Sequence, residues 1–134
     1  MKIITRDIDY AIRAVCFVAS EKEKIVTVKK LADCLSVPMQ FLRKNLQILS
    51  KKNILKSYKG KNGGFSLCKA AGSISLLDII TAFQDPIILN DHIVKKRPCD
   101  NIRTCKVKKV LDKLEAKIRI DLKKATISKI LKVK

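Results

Sequence analysis

Apolar residues recur at helical spacing over residues 6–20. Ile8, Ala11, Ile12, Val15, Val18 and Ala19 fall on one face at i, i+3, i+4 and i+7. Thr5 supplies the side-chain oxygen expected of an N-cap. The run Glu21-Lys22-Glu23-Lys24 breaks the pattern and reads as a solvated loop. Thr27 then caps a second helix with Val28, Leu31, Ala32 and Leu35 on one stripe. Ser36-Val37-Pro38 interrupts it, because proline cannot donate inside a helix but suits a first turn. A third helix is predicted over about 38–52, with Met39, Leu42, Leu46 and Leu49 as its apolar stripe. Gln40, Arg43, Lys44, Gln47 and Lys51 occupy its other side.

The period then changes from helix to strand. Ile54-Leu55-Lys56-Ser57-Tyr58-Lys59 reads as a short strand. Gly60-Lys61-Asn62-Gly63-Gly64 reads as a tight turn rich in residues that accept positive φ. Phe65-Ser66-Leu67-Cys68 alternates again and is the return strand. Two helices joined by a short turn, the second with a basic exposed face, followed by a hairpin with Lys59 and Lys61 at its tip, are in the order of a winged helix. The glycine turn lacks the spacing of a phosphate-binding nucleotide loop, and no helix follows it directly.

Ser75-Leu76-Leu77-Asp78 has the form of a capping box with aspartate in place of glutamate. It opens a helix over about 75–85 with Leu76, Ile79, Ile80 and Phe83 inward, ended by Asp85-Pro86. Residues 86–101 read as a loop without clear period and hold the chain's one histidine, His92. A long helix is expected over about 103–124. Val107, Leu111, Leu114, Ile118, Leu122 and Ala125 form one stripe along it. At about 1.5 Å per residue this helix is roughly 33 Å long, about the length of a small domain. Its apolar stripe predicts pairing with a second copy of the chain, packing back on its own domain being the alternative. Residues 126–131 add a short turn through Ile127, Ile130 and Leu131. The fold class expected is therefore mainly α with a small β-hairpin wing: a winged helix-turn-helix (1–85), a loop (86–101), and a long C-terminal dimerisation helix with a terminal turn (102–134).

Charge points to the partner. The chain has 134 residues, with 30 Lys+Arg against 12 Asp+Glu and a net charge of +18. The excess is +7 over residues 1–94 and +11 over residues 95–134. Solubility does not need so large a surplus, and a polyanionic partner explains it: nucleic acid first, an anionic membrane second. The hairpin after the helix-turn-helix favours DNA, because a membrane-surface module needs no wing. Apolar residues at 47% argue against a disordered basic tail. No apolar run reaches the roughly 18 residues that span a bilayer. The opening residues lack a signal-peptide core, so a cytoplasmic site with reduced cysteines is expected. An enzyme is not expected, because no Ser/His/Asp set and no carboxylate pair in an obvious cleft is present. Cys16, Cys34 and Cys68 lie near apolar positions and are expected in the core.

These residues resemble the IscR/NsrR/CymR type of bacterial winged-helix regulators. Thr5-Arg6-Asp7-Ile8-Asp9-Tyr10-Ala11-Ile12-Arg13-Ala14 is similar to that family's first helix. Phe41-Leu42, Leu49 and Ile54-Leu55 are similar to its recognition segment. Lys59-Gly60-Lys61-Asn62-Gly63-Gly64-Phe65-Ser66-Leu67 is similar to its wing, the most specific of these motifs. Ile74-Ser75-Leu76-Leu77-Asp78-Ile79-Ile80 is similar to the helix that follows. The resemblance spans roughly residues 1–125 and implies a homodimeric regulator on a near-palindromic operator. Gln40, Arg43, Lys44 and Gln47 would then face DNA from the recognition helix, and Lys59, Lys61 and Asn62 from the wing. Val107, Leu111, Leu114, Ile118 and Leu122 would form the dimer seam.

Many members hold an iron–sulfur cluster through three cysteines before the dimer helix. Cys99 and Cys105 match the second and third, and His92 stands near the place of the first. Asp9 falls where some members supply a carboxylate from the partner subunit, while the usual histidine after the last cysteine is Lys108. The resemblance thus implies Cys99, Cys105, His92 and Asp9 as ligands. Thiolate and imidazole suit an iron–sulfur centre or zinc, and the alternatives are redox sensing by the thiols themselves or a chain that binds no metal.

Overall fold

The computed structural model describes residues 3–84, 87, 89, 93–94, 97–98 and 105–133. The first helix, α1 (Arg6–Ser20), starts where expected, with the Ile8 amide donating to Thr5 Oγ1 at 3.4 Å. It buries Ile8, Ala11, Ala14, Val15 and Val18, while Ile12 and Ala19 lie partly covered at the edges of that face. Helix α2 (Val28–Leu35) is capped by Thr27, whose Oγ1 accepts from the Lys30 amide at 3.2 Å. Ser36 takes a left-handed conformation at φ 55°. That reverses the chain out of α2, seats Val37 in the core and leaves Pro38 at the start of α3 (Met39–Lys51).

Helix α3 buries Leu42, Asn45, Leu46 and Leu49. The apolar stripe predicted for it included Met39, which is instead 38% exposed. Met39 sits in the first turn, at the edge of the buried face, and Asn45 holds the covered place nearer its centre. The Nδ2 of Asn45 has no hydrogen-bond partner among the described residues. A buried, unsatisfied amide costs about 1–3 kcal/mol.

Strands β1 (Leu55–Tyr58) and β2 (Gly64–Leu67) pair antiparallel, from Leu55↔Leu67 to Tyr58↔Gly64. The turn closes with the Gly63 amide on the Gly60 carbonyl at 3.0 Å, and Gly60 has φ +103°. The wing is fastened to the body by a reciprocal pair of 2.8 Å bonds between the backbones of Val26 and Phe65. That close approach requires glycine next door, since a Cβ on Gly64 would lie 2.3 Å from the Val26 carbonyl oxygen.

After a single 3₁₀ turn (Ala71–Ser73), the capping box forms as read. The Ser75 amide donates to Asp78 Oδ2 at 3.0 Å and the Asp78 amide to Ser75 Oγ at 3.1 Å. Helix α4 (Leu76–Phe83) buries Ile79 and Ile80, whereas Leu76 and Phe83, predicted inside, are only partly covered at its two ends. The proposed stop at Asp85-Pro86 lies outside the described residues.

The loop expected over 86–101 contains a two-residue antiparallel ladder, β3 (Ile93–Val94) with β4 (Arg97–Pro98). Helix α5 (Lys106–Lys124) begins about one turn later than the periodicity suggested, with Cys105 Sγ accepting from the Lys108 amide at 3.5 Å. It packs on α4 and lays Ile118 and Leu122 against the core. The predicted terminal turn is a helix, α6 (Ile127–Leu131). Its Ile127 is fully buried and donates its amide to the Ile74 carbonyl at 2.9 Å. The C-terminal segment is thereby stitched to the start of α4.

The cysteine expectation needs correcting. Cys16 is half-buried, while Cys34 and Cys68 are exposed. Cys34 falls off the Leu31/Ala32 stripe of α2, and Cys68 is the first residue past β2, where the inward alternation has ended.

Candidate nucleic-acid interface

Gln40, Arg43, Lys44, Gln47 and Lys51 are all exposed on α3. At about 3.6 residues per turn, Gln40 and Gln47 lie along the middle of this outward face. Met39 and Arg43 form one edge of it. Lys44, beside Phe41, forms the other.

The Arg43 edge faces the wing. Met39 and Arg43 share a cleft of about 420 Å³ with Thr27, Val28 and Lys29 of α2 and with Tyr58, Gly60 and Lys61 of the hairpin. Recognition-helix and wing residues thus line one continuous surface. Lys59, Lys61 and Asn62 are exposed at the wing tip.

Tyr58 and Lys29 belong to this surface and were not singled out by the sequence. Strand alternation could have found Tyr58, because it places that residue opposite Gly64 at the mouth of the turn. Ser66 donates its hydroxyl to Tyr58 Oη at 3.3 Å, and Lys56 Nζ sits 5.4 Å from the centre of the ring. The Ser66 bond, with the positive charge of Lys56 and Lys24, holds the phenol below its ordinary pKa. Lys29 could have been found as the exposed neighbour of the capped first turn of α2.

Among the described residues no carboxylate neutralises the charge on this face. Among the described residues the ion pairs are Arg13–Asp9, Lys30–Glu21, Lys108–Asp112 and Arg119–Glu115, and none engages Arg43, Lys44, Lys51, Lys59 or Lys61. A surface that sets such cations next to amide side chains is suited to both phosphates and base edges.

The expected metal donors are only partly in view. His92 and Cys99 lie outside the described residues. Cys105 caps α5, and Asp9 accepts from Arg13 Nε at 3.0 Å on the exposed side of α1. The hydrogen bond and charge of Asp9 raise the pKa of the Arg13 guanidinium. Lys108, where the resemblance has histidine, binds Asp112 at 2.6 Å. Among the described residues no three His, Cys, Asp or Glu side chains come together as a metal site. The donor chemistry of Cys105 and Asp9 suits iron or zinc, but both groups are bonded inside the chain and a site would need the undescribed pair to complete it.

The expected dimer stripe divides along α5. Ile118 and Leu122 pack against the chain's own core, whereas Val107 and Leu114 are 62% and 48% exposed. Leu111 is partly covered, and the unpredicted Val110 adds a further exposed side chain at 58%. No helix among the described residues is long and apolar enough to cross a membrane.

Comparison with known proteins agrees with this geometry. The model of the Rrf2 family, described as iron-dependent transcriptional regulators, matches residues 4–133. The chain is 30% identical to the HTH-type transcriptional regulator NsrR of Bacillus licheniformis over 112 residues, covering 82% of this chain and 78% of that protein. Its fold is similar to that of CymR, the global cysteine regulator of B. subtilis, with a TM-score of 0.75 at 17% identity, covering 98% of this chain and 97% of that one. It is similar also to IscR of T. potens, with a TM-score of 0.75 at 22% identity, covering 98% and 87%. The family match takes in helix-turn-helix, wing and long helix together, and the chain belongs to the Rrf2 family of DNA-binding transcriptional regulators.

Proposed function

We propose that the chain acts as a homodimer that reads a near-palindromic DNA operator. Residues 1–85 do the reading, 86–101 sense, and 102–134 join two copies. The observation that carries this is the cleft shared by Arg43 of α3 and Lys61 of the wing, with no ion pair on either among the described residues. Gln40, Arg43, Lys44 and Gln47 enter the major groove, while Lys59, Lys61 and Asn62 meet the flanking backbone. A twofold dimer places two such heads on one face of the duplex. The test is binding by fluorescence anisotropy to an operator selected from a random duplex pool, against a scrambled duplex. Binding that does not distinguish the two would reduce the chain to a basic module without sequence preference.

The wing is assigned to phosphates rather than bases. Lys59→Ala or Lys61→Ala should weaken operator and scrambled duplex about equally. Each should flatten the dependence of log affinity on log salt by about one unit per subunit. A loss confined to the operator would instead put that lysine in base readout.

For the sensing segment we propose an iron–sulfur site built from Cys99, Cys105 and His92, with Asp9 supplied by the other subunit. The cysteine spacing and the family's iron dependence support it. When bound, the group would supply a redox-sensitive tether between the loop and the start of α5. The chain's own part is to hold that loop. Arg119 donates to the Ile87 carbonyl at 2.6 Å, and the Leu89 amide donates to Glu115 at 3.3 Å, so the loop's entry is pinned to α5. Motion of the loop can therefore be passed to α5 and to the reading heads that it joins. Anaerobic reconstitution should give a visible chromophore, abolished by Cys99→Ser or Cys105→Ser and altered by His92→Ala or Asp9→Ala. Tight operator binding by a wild type that takes up no iron would make this a cluster-free member of the family.

A further inference from the structure

We propose that Arg6 is a second DNA-phosphate clamp, set on the side of α3 opposite the wing. The inference rests on the reading of α3 as the DNA-reading helix. Arg6 is the first residue of α1 and is exposed. Its guanidinium carbon lies 5.7 Å from the centre of the Tyr10 ring and 6.0 Å from that of Phe41. The two rings meet edge to face, with centroids 5.7 Å apart and planes at 85°. Tyr10 comes from α1, one turn beyond Arg6, and Phe41 from the first turn of α3. The aromatic corner joins the two helices and orients a cation at their junction.

Three features make this more than packing. Rings attract the face of a guanidinium while leaving its N–H donors free at the rim, ready for a phosphate. Among the described residues no ion pair engages Arg6, and Asp9, three residues along the same helix, is taken by Arg13 at 3.0 Å. The third feature is position. Phe41 lies beyond the Lys44 edge of the α3 face, and the wing cleft lies beyond the Arg43 edge. A helix in the roughly 12 Å major groove has a phosphate wall on each side. The wing lysines serve one wall, and Arg6 with Lys44 serves the other.

The test uses the 134-residue chain and a fluorescein-labelled duplex of random sequence, titrated across a salt series. Arg6→Gln should weaken binding by about tenfold and flatten the salt slope by about one unit per subunit. Arg6→Lys, which keeps the charge, should restore most of the slope. Thermal melts of the variants check that the fold is intact. An unchanged salt slope for Arg6→Gln, whatever happens to its melting temperature, would overturn the proposal and leave Arg6 as a packing residue. Lys61→Ala is the control for the underlying reading. If it flattens the slope and Arg6→Gln does not, only the clamp fails. If wild type shows no salt-dependent binding, α3 is not a DNA-reading helix and both fall.

Discussion

Leu114→Lys should convert the proposed dimer to a monomer and remove most of its operator binding. Leu114 stands on the N-terminal half of α5 with Val107 and Val110, and all three are exposed, at 48%, 62% and 58%. The C-terminal half of the same stripe is already spent on the chain's own core through Ile118 and Leu122. An apolar stripe that runs past its domain needs a second surface, and a copy of itself is the self-complementary choice. In a twofold seam one substitution introduces two lysines that face each other in a poorly solvated place. Either they are left unpaired and desolvated or the seam opens. Opening also costs DNA affinity, because two linked heads bind with an avidity about a hundredfold or more above one. Sedimentation should report a monomer, and operator titration a loss of at least that size. A variant that stays a dimer at full affinity would place the seam on another face.

Much of this was readable from the chain because local chemistry and global fold agree. Thr5, Thr27 and Ser75 are good caps in front of periodic apolar runs, and each caps the helix it was assigned. The wing was legible because its glycines are forced by backbone geometry, at Gly60 by a positive φ and at Gly64 by the approach of Val26. Residues that defy their type were not legible. Asn45 is polar and yet buried, so the stripe was completed with Met39, which instead lines the wing cleft. Cys34 and Cys68 are residues usually found inside and here lie outside, because helix phase and strand end, not residue type, place them. The β3–β4 ladder is only two residues a side, too short for any alternation to show. At the candidate interface, the charged positions of α3 could be read from the face opposite its apolar stripe. Tyr58 could be read from the strand alternation that sets it opposite Gly64, but Arg6 could not, since its role depends on a contact between distant segments.

Arg43→Ala should cost about 1–3 kcal/mol on the operator, roughly a 5- to 150-fold loss, and far less on scrambled DNA. The size follows from what arginine does that its neighbours on α3 cannot. Its planar fork pairs bidentately with guanine O6 and N7, whereas a lysine reaches phosphate as a point charge and glutamine favours adenine. Its place adds to the case. Arg43 is exposed, has no ion-pair partner among the described residues, and lies at the wing edge of the reading face. There it lines one cleft with Met39 and Lys61. Because both cations line that cleft, Arg43→Ala and Lys61→Ala should not add. Removing one lets the duplex settle differently against the other, and a double-mutant cycle on the operator should return a coupling of about 0.5 kcal/mol or more. On scrambled DNA the same cycle should return almost none, since no base edge holds Arg43 in register. Anisotropy titrations of the four proteins against both duplexes supply every term. Equal losses on the two DNAs for Arg43→Ala would move that side chain from the bases to the backbone, and the reading of sequence would then fall to Gln40 and Gln47.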